Sequence, residues 1–220
     1  MQVAPATVPD LEALDARGVL EHVVERFHPN LVVACSFQKE ASVILDLILR
    51  VEPSARIFTL DTHVLFPETY ETWKRVEDRY GIEVEVFQGP GLGRQAATHG
   101  DELWNREPDV CCDLRKVRPL ARALSGAEAW VAGVRRDQSS SRAATPKLMW
   151  DRRHGLWKAN PLADWTDRDV WRYIVEHDVP YNPLHDQGYE SIGCTHCTRP
   201  GAGRDGRWAG SAKSECGLHG

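Results

Sequence analysis

The chain has 220 residues, a net charge of −5 and a hydrophobic content of 42%, enough for one large domain with a buried core. Its longest apolar stretch, ASVILDLILRV (41–51), is broken by Asp46 and is too short to cross a bilayer. An acidic chain repels nucleic acid as a whole, and no charged-then-apolar leader opens it. A cytoplasmic protein that engages neither nucleic acid nor membrane is therefore expected.

Residues 10–27 place Leu11, Leu14, Val19, Val23 and Phe27 at helical spacing and predict an amphipathic helix. LVVAC (31–35) reads as a buried strand. SFQKEASVILDLILRV (36–51) is apolar on most sides, as a buried helix would be. RIFTL (56–60) predicts a second strand, and PETYETWKRVEDRYG (67–81) a helix with Pro at its start and Gly at its stop. IEVEVF (82–87) alternates like an edge strand. The vicinal pair Cys111–Cys112 leads into a helix through about Leu124, and AWVAG (129–133) gives another strand. TDRDVWRYIVEHD (166–178) is a last helix, with Thr166 as N-cap and Asp169 placed for a capping box. Residues 1–200 are expected to form one compact domain. The glycine-rich stretch 201–220 is expected to form a mobile tail.

Strands alternating with helices predict an α/β fold with a Rossmann-like parallel sheet, helices on both faces and right-handed crossovers. Ligands of such sheets sit beyond the carboxyl ends of the strands. On that expectation CSFQKE (35–40), LDTHVLFPE (60–68) and GVRRDQSSSR (133–142) border one crevice. Between Asp113 and Arg153 stand ten Lys or Arg against four Asp or Glu, a local excess of +6 inside an acidic protein. Such a segment suits a small, highly charged anion better than a long polyanion. A solvated surface explains any single Arg in it equally simply.

Six cysteines fall at 35, 111, 112, 194, 197 and 216. Adjacent cysteines pair with each other only under strain. Cys111 and Cys112 with Cys194 and Cys197 make four thiolates, the complement of a 4Fe–4S cluster or a structural zinc. Consecutive side chains diverge, which favours the larger cluster without excluding zinc. Lys116, four residues after Cys112, lies on the same helical face and could meet either an anionic cluster or an anionic substrate. Cys216 sits in a polar, glycine-flanked setting with His219 three residues on. A thiol placed there is either incidental or a nucleophile that must travel. Cys35 ends an apolar strand and reads as a structural thiol.

Taken together, SF (36–37), LDT with FPETY (60–70), CC-x-x-R-K (111–116), G-x-R-R-D-Q-S (133–139), C-x-x-C (194–197), R-D-G-R-W (204–208) and ECGLH (215–219) resemble the adenosine 5′-phosphosulfate (APS) reductases of assimilatory sulfate reduction. The resemblance implies the adenine nucleotide alpha hydrolase (PP-loop) fold. Where the ATP pyrophosphatases related to that fold carry a glycine-rich pyrophosphate loop, this chain has SFQKEAS, so ATP cleavage is not expected. It further implies that Cys216 attacks the sulfur of APS, that AMP leaves, and that thioredoxin frees sulfite from a Cys-S-sulfonate, in the service of cysteine biosynthesis. Lys116, Arg142, Arg204 and Arg207 would hold the phosphosulfate, with His219 near the nucleophile. Ser36, Phe37, Leu60 and Gly133 would border the adenosine, and Cys111, Cys112, Cys194 and Cys197 would bind one 4Fe–4S cluster. By analogy with the family a homo-oligomer is compatible with the chain. The competing readings are a reductase for 3′-phospho-APS, an iron–sulfur tRNA-thiolating enzyme of the same fold, and a zinc-stapled nucleic-acid-binding module.

Overall fold

The computed structural model describes residues 7–208, 213 and 215–218. A six-stranded sheet carries the fold in the order β3-β2-β1-β4-β6-β5. Its strands are β1 (Leu31–Ala34), β2 (Arg56–Asp61), β3 (Glu85–Gln88), β4 (Ala129–Val131), β5 (Leu148–Asp151) and β6 (Leu156–Ala159). All neighbours pair in parallel except β5, which closes one edge antiparallel to β6. The expected α/β class with a mostly parallel sheet is thus found. The β5–β6 hairpin is an addition that the change of pattern near residue 150 did not reveal.

The helices are α1 (Ala16–Phe27), α2 (Lys39–Val51), α3 (Pro67–Tyr80), α4 (Leu92–His99), α5 (Leu103–Arg106), α6 (Pro108–Cys112), α7 (Arg118–Ala123) and α8 (Asp167–His177). Helix α1 begins later than its apolar spacing predicts. The Asp15 carboxylate caps it by accepting from the Gly18 amide at 2.7 Å, and Leu11 packs into the core from the preceding turn. Helix α2 is buried from Lys39 through Ile48, its apolar residues together with Lys39, Glu40, Ser42 and Asp46. Helix α3 ends at Gly81, whose φ of 63° is the left-handed stop expected of it.

Strand side chains alternate between two cores. Val33 joins Val43, Ile44, Ile57, Val131, Val170 and Ile174 on the side of α1, α2 and α8. Val32 joins Phe58, Trp130, Leu120 and Leu124 on the side of α7. Helix α8 carries the expected capping box: Thr166 Oγ1 accepts from the Asp169 amide at 3.2 Å, and Asp169 Oδ2 accepts from the Thr166 amide at 2.9 Å. Thr166→Ala is expected to cost about 1 kcal/mol, read as a lower urea midpoint at an unchanged slope. Among the described residues no helix is long and apolar enough to cross a membrane.

Candidate active site

The strand order reverses between β1 and β4, since β1 is followed on one side by β2 and on the other by β4. The crevice at such a reversal is where open α/β sheets bind ligands. A cavity of about 280 Å³ lies there, walled by Ser36 after β1, Thr59 and Leu60 of β2, and Gly133 after β4. Lys116, Arg142, Arg204, Arg207 and Cys216 complete its wall from four separate parts of the chain. Sequence spacing alone could not bring these five together; the fold does.

Of the residues expected to border the adenosine, Ser36, Leu60 and Gly133 line the cavity and Phe37 does not. Its ring is fully buried and stacks on Trp73, with centroids 5.4 Å apart and planes 14° from parallel. A left-handed φ of 56° at Phe37 turns the chain from β1 into α2 and sends the side chain inward. Cys35 is buried as expected, and burial pushes its thiol up to about 12, which leaves it inert.

The start of α2 is not an open anion cradle. The Lys39 amide donates to His185 Nε2 at 3.2 Å. Next to it the Glu40 carboxylate accepts from Arg135 Nε and Nη2 at 3.1 and 2.9 Å and from Gln138 at 3.1 Å. A carboxylate at that point repels a pyrophosphate, in keeping with the missing glycine loop.

The cations divide into two sorts. Arg142 donates to both carboxylate oxygens of Glu215, at 3.0 and 3.1 Å from Nη2, and Arg204 Nη2 donates to Glu215 Oε2 at 3.0 Å. Lys116 and Arg207, both 8% exposed, have no carboxylate partner among the described residues. Arg207 donates from Nη1 to Ser191 Oγ and the Ile192 carbonyl, each at 3.2 Å, and its buried Nε finds no acceptor among them. Gly193 makes room for that guanidinium: a Cβ at this position would collide with it. Burial works against the Lys116 charge, yet the thiols of Cys194, Cys216 and Cys112 outweigh it and hold the ammonium above its ordinary range. Behind Arg142, Lys158 is pushed down to about 8 by burial and by that arginine, against Asp151 and Glu215.

On the other side of Lys116 lies a smaller pocket into which Cys111, Cys112, Cys194 and Cys197 all face, together with Arg115, Lys116, Trp104 and Trp208. The helix that delivers the first pair widens into a π-helical turn over Asp113–Val117, and such turns often accompany functional sites. Arg115 is 1% exposed and donates to the Thr62 carbonyl at 2.6 Å, while its Nε and Nη2 have no partner among the described residues. Burial raises the Cys111, Cys112 and Cys197 thiols, Cys112 to about 11. Among the described residues no group of three or more His, Cys, Asp or Glu side chains is arranged to hold a metal ion. Four thiols round one pocket, with orphaned guanidinium nitrogens beside them, are a donor set that fits an anionic thiolate-bound cluster.

Arg115 stands in the CC-x-x-R-K motif, but sequence reasoning gave it no role of its own, and the fold buries it against the cysteine pocket. Trp208, the last residue of R-D-G-R-W, is buried between the cysteine pocket and the cations, with Arg207 4.5 Å and Arg204 5.9 Å from its ring. Beyond it, the Gly217 carbonyl accepts from Arg153, and Leu218 packs against the α7 core. His219 lies outside the described residues.

The family described as phosphoadenosine phosphosulfate reductase domain matches residues 30–200. Adenosine 5′-phosphosulfate reductase 1 of Bacillus subtilis (strain 168) is 50% identical over 211 residues, spanning 93% of this chain and 90% of that protein. Adenosine 5′-phosphosulfate reductase of Salinibacter ruber is 46% identical over 209 residues, spanning 92% and 83%. The crystal structure of phosphoadenylyl-sulfate (PAPS) reductase from Candida auris, in a phosphate complex, superposes with a TM-score of 0.78 at 35% identity, spanning 86% of this chain and 92% of that one. Sequence and fold agree, and the chain belongs to the phosphoadenosine phosphosulfate reductase family.

Proposed function

We propose that the chain reduces adenosine 5′-phosphosulfate to sulfite and AMP with electrons from a dithiol protein of the thioredoxin kind. The observation that carries this reading is the Cys216 thiol in the wall of a cavity that also presents Lys116, Arg142, Arg204 and Arg207 at the sheet's switch point. The reaction is a displacement at sulfur. A thiolate lone pair of Cys216 forms the S–S bond to the sulfonate sulfur as the bond from that sulfur to the AMP phosphate oxygen breaks, and AMP leaves with the electron pair. One thiolate of the reductant then attacks the Cys216 sulfur and expels sulfite. Its second thiol resolves the mixed disulfide, so two thiols are oxidised to one disulfide per sulfite.

Charge is dispersed over the transferred group and the departing phosphate, as in phosphoryl transfer, so positioning and neutralisation carry most of the catalysis. Lys116 and Arg207 are the cations best placed for that role, having no carboxylate partner among the described residues. Ser36, Leu60 and Gly133 would border the adenosine at the strand ends. His219, from its place in ECGLH, would stand near the nucleophile. For the second half-reaction Cys216 would leave the cavity wall to present its sulfonate to a bulky reductant, while Arg204, Arg207 and Trp208 keep their places.

Cys111, Cys112, Cys194 and Cys197 would hold one 4Fe–4S cluster. When bound it supplies negative charge and polarisable sulfide beside Lys116, and no electrons, since the thiols provide both. Arg115 would then direct its two partnerless nitrogens at that charge.

Mass spectrometry after mixing the purified protein with APS and no reductant tests the reading directly. A sulfonate adduct on Cys216, with iron and acid-labile sulfide in equal amounts in the same preparation, is the expected result. Zinc without sulfide, or no adduct anywhere on the chain, would overturn it. Comparing rates on APS and its 3′-phosphorylated form assigns the nucleotide, and APS is expected to be the faster.

A further inference from the structure

Resting on that reading, the geometry points to Glu215 as a positioning residue that competes with the substrate's anion for Arg142 and Arg204. Its carboxylate accepts from Arg142 Nε at 3.2 Å and Nη2 at 3.0 Å through Oε1, and from Arg142 Nη2 at 3.1 Å and Arg204 Nη2 at 3.0 Å through Oε2. This two-pronged grip of a guanidinium on paired oxygens is the one arginine also offers to phosphate and sulfate. Arg142 and Arg204 come from distant segments and line the same cavity; one carboxylate joins them across it.

The residue after Glu215 is the proposed nucleophile. Holding Glu215 on the two arginines therefore seats Cys216 in the cavity wall, with the Gly217 carbonyl on Arg153 and Leu218 against the core as further attachments. A phosphosulfate entering this cavity brings two negative charges into a partly dehydrated space where like charges repel strongly. Carboxylate and substrate cannot both sit between the same guanidinium groups. Glu215 thus acts as an internal stand-in for the substrate's anion: it keeps the tail docked and the arginines satisfied while the cavity is empty. It gives way as APS arrives, and it re-docks once AMP has gone.

The test measures APS affinity calorimetrically on the cluster-loaded protein in a background that cannot turn over, comparing Cys216→Ser with Glu215→Gln/Cys216→Ser. Removing the internal competitor is expected to tighten APS binding on the order of tenfold, within the usual range of coupling between two ligands. Glu215→Ala in the same background is expected to give the same shift. With Cys216 intact, Glu215→Gln is also expected to speed iodoacetamide labelling of Cys216 in the substrate-free protein. A residue that merely supported the fold would weaken binding when removed. Equal or weaker APS binding in both Glu215 variants would overturn the competition and leave the proposed reaction standing. No APS binding in the Cys216→Ser protein itself would overturn the reaction and the competition with it.

Discussion

Cys216→Ser is expected to lower sulfite formation from APS by more than about 10⁴-fold and to leave no sulfonate on the protein. The scale is that of removing a catalytic nucleophile whose neighbours remain in place. A serine hydroxyl is nearly isosteric, so the cavity and its cations should persist and APS should still bind. What is lost is a thiolate able to form a bond to sulfur and later to release it to another thiol. The same replacement at Cys35 should change turnover little, because that thiol is 4% exposed and held protonated. Sulfite assays with a dithiol reductant, run beside intact-mass measurements, read both variants; native-rate sulfite from Cys216→Ser would refute the proposed chemistry.

Lys116→Ala should be the second severe lesion, reducing kcat/KM for APS by about 10²–10³-fold, the usual effect of deleting one preorganised group that meets developing charge. Lys116 forms part of both walls, that of the large cavity and that of the cysteine pocket. Its ammonium is buried among thiols and keeps its proton in spite of burial. If the lysine serves the reaction, iron content and the visible absorption of the variant will match the parent while turnover collapses. Loss of iron in parallel with activity would instead assign Lys116 to holding the cluster site together.

Much of this arrangement was legible before any coordinates. The strands and long helices announce themselves because burial on a sheet or beneath a helix imposes a period on apolar residues. The cysteine quartet stands out because thiols are rare and their spacing peculiar. Other features were illegible for equally physical reasons. The β5–β6 hairpin mixes Trp150, Asp151, Trp157 and Lys158 with no clean alternation, since both faces are covered and even Lys158 is buried. Phe37 follows a strand as a ligand-facing residue would, and only its positive φ decides that the ring turns into the core. Arg115 resembles any solvated helical arginine until the fold closes Thr62 over it. Glu215 stands inside a recognisable motif, but a charge pair spanning 73 residues to Arg142 leaves no trace in spacing.

The widened turn at Asp113–Val117 makes the chain's numbering matter locally. Each residue along a helix advances side chains by about 100°, so the extra backbone atom count of that turn sets the angle between Cys111–Cys112 before it and the α7 apolar face after it. Trimming a single position there would restore a regular spiral while swivelling the thiol pair off its pocket. An insertion or deletion within Asp113–Val117 would therefore turn Cys111 and Cys112 away from the α7 register that the fold now holds them in.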